Sequence, residues 1–393
     1  MNQLLQNYQR FVERLTDKLS TEIAFFDLGK TEQVFKINMM IDQIGDEFKT
    51  YLSPQERQDL AQVFCTHIIW GFGELQQYFD DPQVEEIMIN GDRSCFIKYR
   101  FKDEYLGLPV IETTVLEGLI ERLLRGSGKR VDQSQPVVDL QLEDRSRVHI
   151  VLPPVSTQGP IITVRKFTPE VLQLEDLVNL KMLDQKTADF LHKAVNAKAN
   201  ILISGGTATG KTTLLSALIG EITHESERLI IIEESSEIQF PEKLKNVVQL
   251  QTRRTTHSGI QEFTIRDLVK QALRMRPDRI IVGESRGGEA FDLLQAMNTG
   301  HPGSLTTVHA SNADQALERL LGLVMQAGFD QLPVDMIKNW IASSIDLIIQ
   351  LSRQGNKPRR ITQLMISQHN GKFKPLATGL ASKWLTHLTQ KEG

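Results

Sequence analysis

The hydrophobic pattern changes character several times along the chain. In the first 75 residues, Leu4, Leu5, Tyr8, Phe11, Val12 and Leu15 recur at spacings of three and four, as do Val34, Ile37, Met40, Ile41 and Ile44. Such spacing predicts helices with one apolar face. Ser53-Pro54-Gln55-Glu56 reads as another helix start, with Ser53 as cap, Pro54 in the first turn and Glu56 closing a capping box. Beyond Leu75 the pattern becomes short strands among turns: Ile87 to Gly91, Cys95 to Tyr99, Arg147 to Leu152 and Pro160 to Arg165, with a helix over Thr113 to Arg125. Residues 169–198 read as a connecting segment and a helix. Apolar runs at 200–203, 229–232 and 279–282 then alternate with helical patterns, as in a parallel-rich sheet with helices on both faces. The remainder holds Gly355, Lys357, Pro358, Arg359 and Arg360, then short strands around a turn at Asn370-Gly371. The expected fold is therefore α/β. A helical segment (1–75), a small α+β domain (76–168), a linker and helix (169–198), an α/β domain (199–353) and a tail (354–393) follow one another.

The most informative boundary between strand and helix lies at Ile201 to Thr213. A buried-looking strand feeds Gly205-Gly206-Thr207-Ala208-Thr209-Gly210-Lys211-Thr212-Thr213, and an apolar helix starting at Leu214 follows. Two glycines with four residues between them, Gly205 and Gly210, followed by lysine and threonine, form a phosphate-binding loop in its required setting. Backbone N–H groups curl around phosphate oxygens and the helix N-terminus adds the positive end of its dipole. Lys211 is the mobile cation for the β- and γ-phosphates, and the Thr212 hydroxyl is placed to ligate Mg²⁺. A glycine-rich turn without ligand is the competing reading; the Lys-Thr pair behind a strand favours ATP with Mg²⁺.

Composition narrows the class without changing it. At 393 residues, with 24% charged and 40% hydrophobic positions, the chain is globular and long enough for two or three domains. A net charge of −4 supplies no basic footprint for direct nucleic-acid binding. Cys65 and Cys95 form no C-x-x-C pair and read as reduced, buried thiols. No apolar run approaches the ~18 residues of a membrane span, and the N-terminus lacks a signal-peptide core. The expectation is a cytoplasmic protein with no transmembrane segment.

Two further strands end in acids, and ligands of parallel sheets sit at the strands' carboxyl ends. Leu229 to Ile232 runs into Glu233, Glu234 and Glu237; Arg279 to Val282 runs into Gly283 and Glu284. Glu284 fits a Walker B role, ordering the waters of Mg²⁺. Glu233, Glu234 and Glu237 are alternatives for the carboxylate that polarises attacking water. Gly300 to His309 adds His301 and His309 together with Thr306 and Thr307, whose hydroxyls and imidazoles could contact phosphate. By residue type alone these histidines read as structural, and Arg147 and Arg165 as surface charges.

Taken in order, the phosphate loop, the stretch Ile232 to Glu237, Gly283-Glu284 and Gly300 to His309 resemble the four motifs of the secretion-ATPase superfamily, the motors of type II and type IV secretion and type IV pili. The run from Thr264 through Arg279, Gly283 to Glu289 and Gln295 to His301 looks most like the CpaF type, which drives Tad/Flp pilus assembly. Upstream, Arg130-Val131-Asp132, Pro136, Asp139, Ser146-Arg147-Val148 and Ile162 to Phe167 are similar to the family's PAS-like N-terminal domain. The resemblance implies a RecA-like ATPase domain working as a homo-hexamer, peripherally attached to inner-membrane platform proteins. It makes Glu237 the catalytic carboxylate. It carries His301 and His309 to the γ-phosphate, and gives Arg147 and Arg165 phosphate contacts from the N-terminal domain. Four positions depart from the family pattern: Ala208 and Thr209 replace Gly-Ser in the loop, Glu234 replaces Asp, and Arg145 stands where glycine usually precedes Ser146-Arg147. The four-cysteine zinc motif common in the family's pilus-extension branch is lacking in this sequence, which favours the CpaF type over the type II secretion and type IVa extension branches. A nucleic-acid translocase and a non-hydrolysing nucleotide-gated scaffold are the alternatives.

Overall fold

A computed structural model describes the chain except for residues 1, 20–21, 23–24, 26–27, 92–93, 101, 103, 110, 112, 126, 168–170, 254–260, 354–357, 369–370, 377–383, 387 and 389–393. Gly355, Lys357 and Asn370, singled out above, lie outside the described residues. Backbone contacts divide the chain into two compact units, Met1–Thr168 and Pro169–Gly393.

The first unit opens with helices α1 (Asn2–Leu19), α2 (Lys30–Phe48) and α3 (Pro54–Phe64). Phe11, Leu15, Ile37, Ile41, Ile44 and Phe64 are buried together, which is why their spacing is helical. The capping box at α3 forms as the sequence prescribes. Ser53 Oγ accepts the Glu56 N–H at 3.3 Å, and Glu56 Oε2 accepts the Ser53 N–H at 2.7 Å.

After a short α4 (Gln76–Asp80) come β1 (Val84–Asn90), β2 (Cys95–Tyr99), β3 (Tyr105–Leu108), α5 (Thr113–Leu124), β4 (Val137–Gln141), β5 (Arg147–Val151) and β6 (Ile161–Arg165). The strands make one antiparallel sheet in the order β3-β2-β1-β6-β5-β4. Its apolar face, including Ile87, Ile97, Val148 and Ile162, packs with Leu116 and Leu119 of α5. Cys65 and Cys95 are free and buried, and burial pushes their thiols up to about 12 and about 11.

The second unit contains α6 (Leu174–Asn179), α7 (Gln185–Asn196), β7 (Ile201–Gly205), α8 (Lys211–Gly220), β8 (Leu229–Glu233), β9 (Val247–Gln251), α9 (Ile265–Ala272), β10 (Arg279–Val282), α10 (Glu289–Asn298), β11 (Leu305–His309), α11 (Ala313–Val324), α12 (Val334–Ser344), β12 (Leu347–Ser352), β13 (Arg360–Ser367) and β14 (Phe373–Pro375). Eight strands form one sheet in the order β14-β13-β12-β7-β11-β10-β8-β9. From β12 to β9 all pairs are parallel. Strands β13 and β14 add antiparallel, so the segment read as a tail extends the same sheet. Ile201 and Ile203 face the core shared with α7 and α8, while Leu202 faces the core shared with α9 to α12. Both faces are covered, and the central strands are correspondingly apolar throughout.

The amino ends of these strands are closed by buried polar groups. Asn200 Nδ2 donates to the Ser344 carbonyl at 2.8 Å, its Oδ1 accepts the Ser304 N–H at 3.1 Å, and its own N–H meets Asp346 Oδ2 at 2.9 Å. Arg279 is wholly buried, forks onto Glu227, and donates to the Val195 carbonyl at 2.8 Å.

Candidate functional site

The carboxyl ends of β7, β11, β10 and β8 lie side by side, and each carries one of the motifs. Parallel pairing sets His309 opposite Gly205, Thr306 opposite Val282, and Val282 opposite Ile232. Gly205, His309, Glu284 and the acids after β8 therefore share one edge about 15 Å wide, three strand spacings across.

The phosphate loop is held in shape by its own side chains. A Cβ on Gly205 would lie 2.5 Å from the Thr209 hydroxyl and 3.1 Å from Leu351 Cβ, so nothing larger than glycine fits there. Thr209 Oγ1 donates to the Gly206 carbonyl at 2.9 Å. Thr209, which replaces the usual serine, is buried and fastens the loop, while Thr207 stays exposed. Ala208 has φ 55° and Gly210 φ 91°. The left-handed backbone costs alanine on the order of 1 kcal/mol relative to glycine. Arg145, the other residue standing in for a glycine, also has φ 71°. Met182 Cε and Arg359 Cδ both lie over Gly210, within 3.2 and 3.5 Å of where a Cβ would be.

Lys211 opens α8 and turns back over the loop. Its Nζ donates to the carbonyls of Gly205 and Gly206 at 3.0 Å each. Burial pushes the Lys211 ammonium down; Glu284 pulls it up and Arg286 pushes it further down. Thr212 and Thr213 occupy the first turn of α8, half-buried, where backbone N–H groups have no helical acceptor. An oxygen-preferring cation fits the Thr212 hydroxyl and the Glu284 carboxylate as donors. Among the described residues, no group of three His, Cys, Asp or Glu side chains could hold a metal by itself.

The acids separate into different settings. Glu233 is buried, and its Oε1 accepts the N–H groups of Glu237 at 2.9 Å and Ile238 at 2.8 Å. It shapes the loop that carries the other two. Gln239 of the same loop donates its N–H to Ser216 Oγ of α8 at 3.2 Å, docking the loop on the phosphate-loop helix. Glu234 and Glu284 share one cation: Arg286 Nη1 meets Glu234 Oε2 at 3.1 Å, and Arg286 Nη2 meets Glu284 Oε2 at 2.8 Å. The Glu284 bond first, then Glu284, Glu234 and Glu237 by charge, hold the Arg286 guanidinium more firmly protonated than usual.

The two histidines are not brought together. His309 ends β11 beside Gly205, exposed at the phosphate-loop edge. His301 precedes β11 at the opposite, amino edge of the sheet, a strand length or roughly 15 Å away, with its Nδ1 3.3 Å from the Ala296 carbonyl. Within one chain His301 does not reach the phosphate loop. Nor are Thr306 and Thr307 open to a phosphate, for both are buried. Thr307 Oγ1 donates to the Gly283 carbonyl at 2.8 Å, the Ser285 N–H donates to the Thr307 carbonyl at 2.8 Å, and the Thr306 and Ser285 hydroxyls pair at 3.0 Å. These threonines clasp the turn that presents Glu284.

Arg147 and Arg165 stand opposite each other on β5 and β6 of the first unit. The row continues to Gln141 on one side and to Glu86 and Lys98 on the other. Burial raises the Glu86 carboxyl above its ordinary range, with Arg165 and Lys98 opposing. The two arginines stand one strand spacing apart, a neighbourhood that separate strand readings could not reveal.

Arg286, Thr306, Thr307 and Glu289 were not legible as a set. Glu289 Oε1 accepts the N–H groups of Arg286 at 2.6 Å and Gly287 at 2.7 Å, fixing the turn from β10 to α10. The available signal was an arginine two residues beyond a strand-end acid, followed by two glycines and a glutamate.

The model of the type II/IV secretion system protein family matches residues 75–379. A putative conjugal transfer protein of Mycobacterium tuberculosis is 35% identical over 332 residues, covering 80% of this chain and 90% of that protein. The type IV secretion system protein VirB11 of Bartonella henselae is 32% identical over 314 residues, covering 71% and 87%. The pilus retraction motor PilT with bound ADP has a similar fold, with a TM-score of 0.56 at 18% identity over 82% of this chain and 87% of that one. Matched by that family's model over residues 75–379, more than half of its length, the chain belongs to the type II/IV secretion system protein family.

Proposed function

We propose that this chain is an ATPase that works as a homo-hexamer and powers pilus assembly or protein secretion through inner-membrane platform proteins, in the manner of a Tad/Flp motor of the CpaF type. The observation that supports this most is the single sheet edge where the phosphate loop, His309, Glu284 and Glu237 converge.

In this reading the loop N–H groups and the α8 N-terminus bind phosphates, and Lys211 leaves its loop carbonyls for the β- and γ-phosphates. Thr212 and Glu284, with phosphate oxygens, would hold Mg²⁺, which neutralises phosphate charge when bound. Glu237 orients and deprotonates the attacking water. Glu233 keeps the Glu237 loop in place. Arg147 and Arg165 add positive charge to the phosphates from the first unit, and His309 stands beside the first loop glycine. No helix among the described residues is long and apolar enough to cross a membrane. We assign membrane attachment to the platform proteins and place this chain in the cytoplasm.

The test is phosphate release by the purified full chain, with particle size measured in ATP, alongside Lys211→Ala and Glu237→Gln. Turnover that falls at least a hundredfold in both variants, from a ring-sized particle, is expected. Tight ATP binding without phosphate release, even with the platform protein present, would replace this reading with a nucleotide-gated scaffold. The names of the similar proteins favour a second placement of the same motor, in conjugal transfer or type IV secretion. Scoring pili against DNA transfer in cells lacking the protein separates the two placements.

A further inference from the structure

Arg286 links two acids that lie far apart in sequence, one on the loop after β8 and one on the turn after β10. Its backbone is fixed, since its N–H and that of Gly287 both donate to the buried Glu289 carboxylate. Its side chain is not. The side chain is 57% exposed, with Glu234 at 43% and Glu284 half-buried at 25%, so both pairs are open to water on one side, which weakens them. Arg286 also lies close enough to the Lys211 ammonium for the two charges to repel, while Glu284 attracts both. Two cations and the acids Glu284, Glu234 and Glu237 thus balance one another beside the phosphate loop. A triphosphate entering there is a stronger, multiply charged acceptor, and a planar guanidinium suits its terminal oxygens.

We propose that Arg286 is the residue that distinguishes ATP from ADP: it exchanges Glu284 for the γ-phosphate when ATP binds, keeping Glu234 as its anchor, and stays on both carboxylates when ADP binds. The exchange frees Glu284 for the cation's waters only when there is a phosphate to cleave. No bond is made or broken in this step. The inference rests on the ATPase reading above.

The test is equilibrium binding of ribose-labelled fluorescent ATP and ADP to the full chain, with Mg²⁺ and again in EDTA. A Glu237→Gln background prevents consumption of ATP. Arg286→Gln is expected to weaken ATP binding about tenfold or more and to change ADP binding by less than about twofold. Arg286→Lys should fall between, since an ammonium cannot span two oxygens. Glu234→Gln removes the anchor that holds Arg286 towards the γ-phosphate and should lower the preference for ATP, in the same direction as Arg286→Gln and by less. Equal losses for ATP and ADP in Arg286→Gln, or an unchanged preference in Glu234→Gln, would overturn the proposal. Lys211→Ala is the control. If it binds both nucleotides as the parent does, the nucleotide site itself is wrong. If it loses both while Arg286→Gln keeps the parent's preference, only the discrimination by Arg286 fails.

Discussion

Strand β10 has an arginine at each end of its environment, Arg279 at the amino edge and Arg286 beyond the carboxyl edge. Both fork onto carboxylates, yet they are different devices. Arg279 is fully buried, its partner Glu227 is 8% exposed, and a remaining donor goes to the Val195 carbonyl. Nothing there can be exchanged without stranding a charge in a dry site. Arg286 is 57% exposed between two acids from separate loops, where exchange costs less. The same residue type is a rivet at one end of the sheet and a movable contact at the other, and burial decides which.

The largest expected effect breaks the rivet. Glu227→Ala leaves the Arg279 guanidinium buried and unpaired, and should lower unfolding stability by about 3–5 kcal/mol, read from the urea midpoint. Arg286→Gln should change it by less than about 1 kcal/mol. Similar losses in both variants would erase the distinction.

A smaller effect compares backbone strain at the two ends of β7, where Lys198 has φ 49° and Ala208 φ 55°. Ala208→Gly should raise the melting stability by about 1 kcal/mol. Lys198→Gly relieves the same kind of strain but loses the 3.9 Å approach of Lys198 to Glu227, so it should gain less. A larger gain at Lys198 would move the strained end of the strand away from the site.

The smallest effect concerns Arg165, whose neighbour Glu86 is intermediate in burial. Glu86 has a raised folded value, so its contribution to stability is present below the ordinary glutamate range and lost as pH rises through the raised one. Urea midpoints of the parent should therefore drop slightly from pH 4.5 to pH 7 relative to Glu86→Gln. A parent that gains stability over that interval would show that Arg165 and Lys98 outweigh burial.

Much of the frame was legible because it is local. The loop from Gly205 to Thr213, the strands ending at Glu233 and near Glu284, and the Ser53 cap each declare themselves within about ten residues. Strands β9, β11 and β12 did not stand out, and β13 and β14 read as a tail, because joining a sheet depends on distant partners. The placement of His301 shows the same limit. The motif from Gly300 to His309 runs the full length of a strand, so its two histidines emerge at opposite edges. Arg147 and Arg165 were visible as residues but not as neighbours, since register is a long-range property. Arg286 was hidden for another reason: its partners come from two loops, one of them 52 residues away.

Gly210 gathers three segments that are far apart in the chain. Met182, before α7, and Arg359, leading into β13, both lean on it, and the Ile361 N–H donates to the Met182 carbonyl at 2.8 Å. The antiparallel strand added late in the sequence is thereby coupled to the hinge where loop becomes helix. In mechanical terms Gly210 is a bearing surface: side chains from two distant segments rest on it, and a methyl group at this point would press on Met182 at 3.2 Å and make it give way.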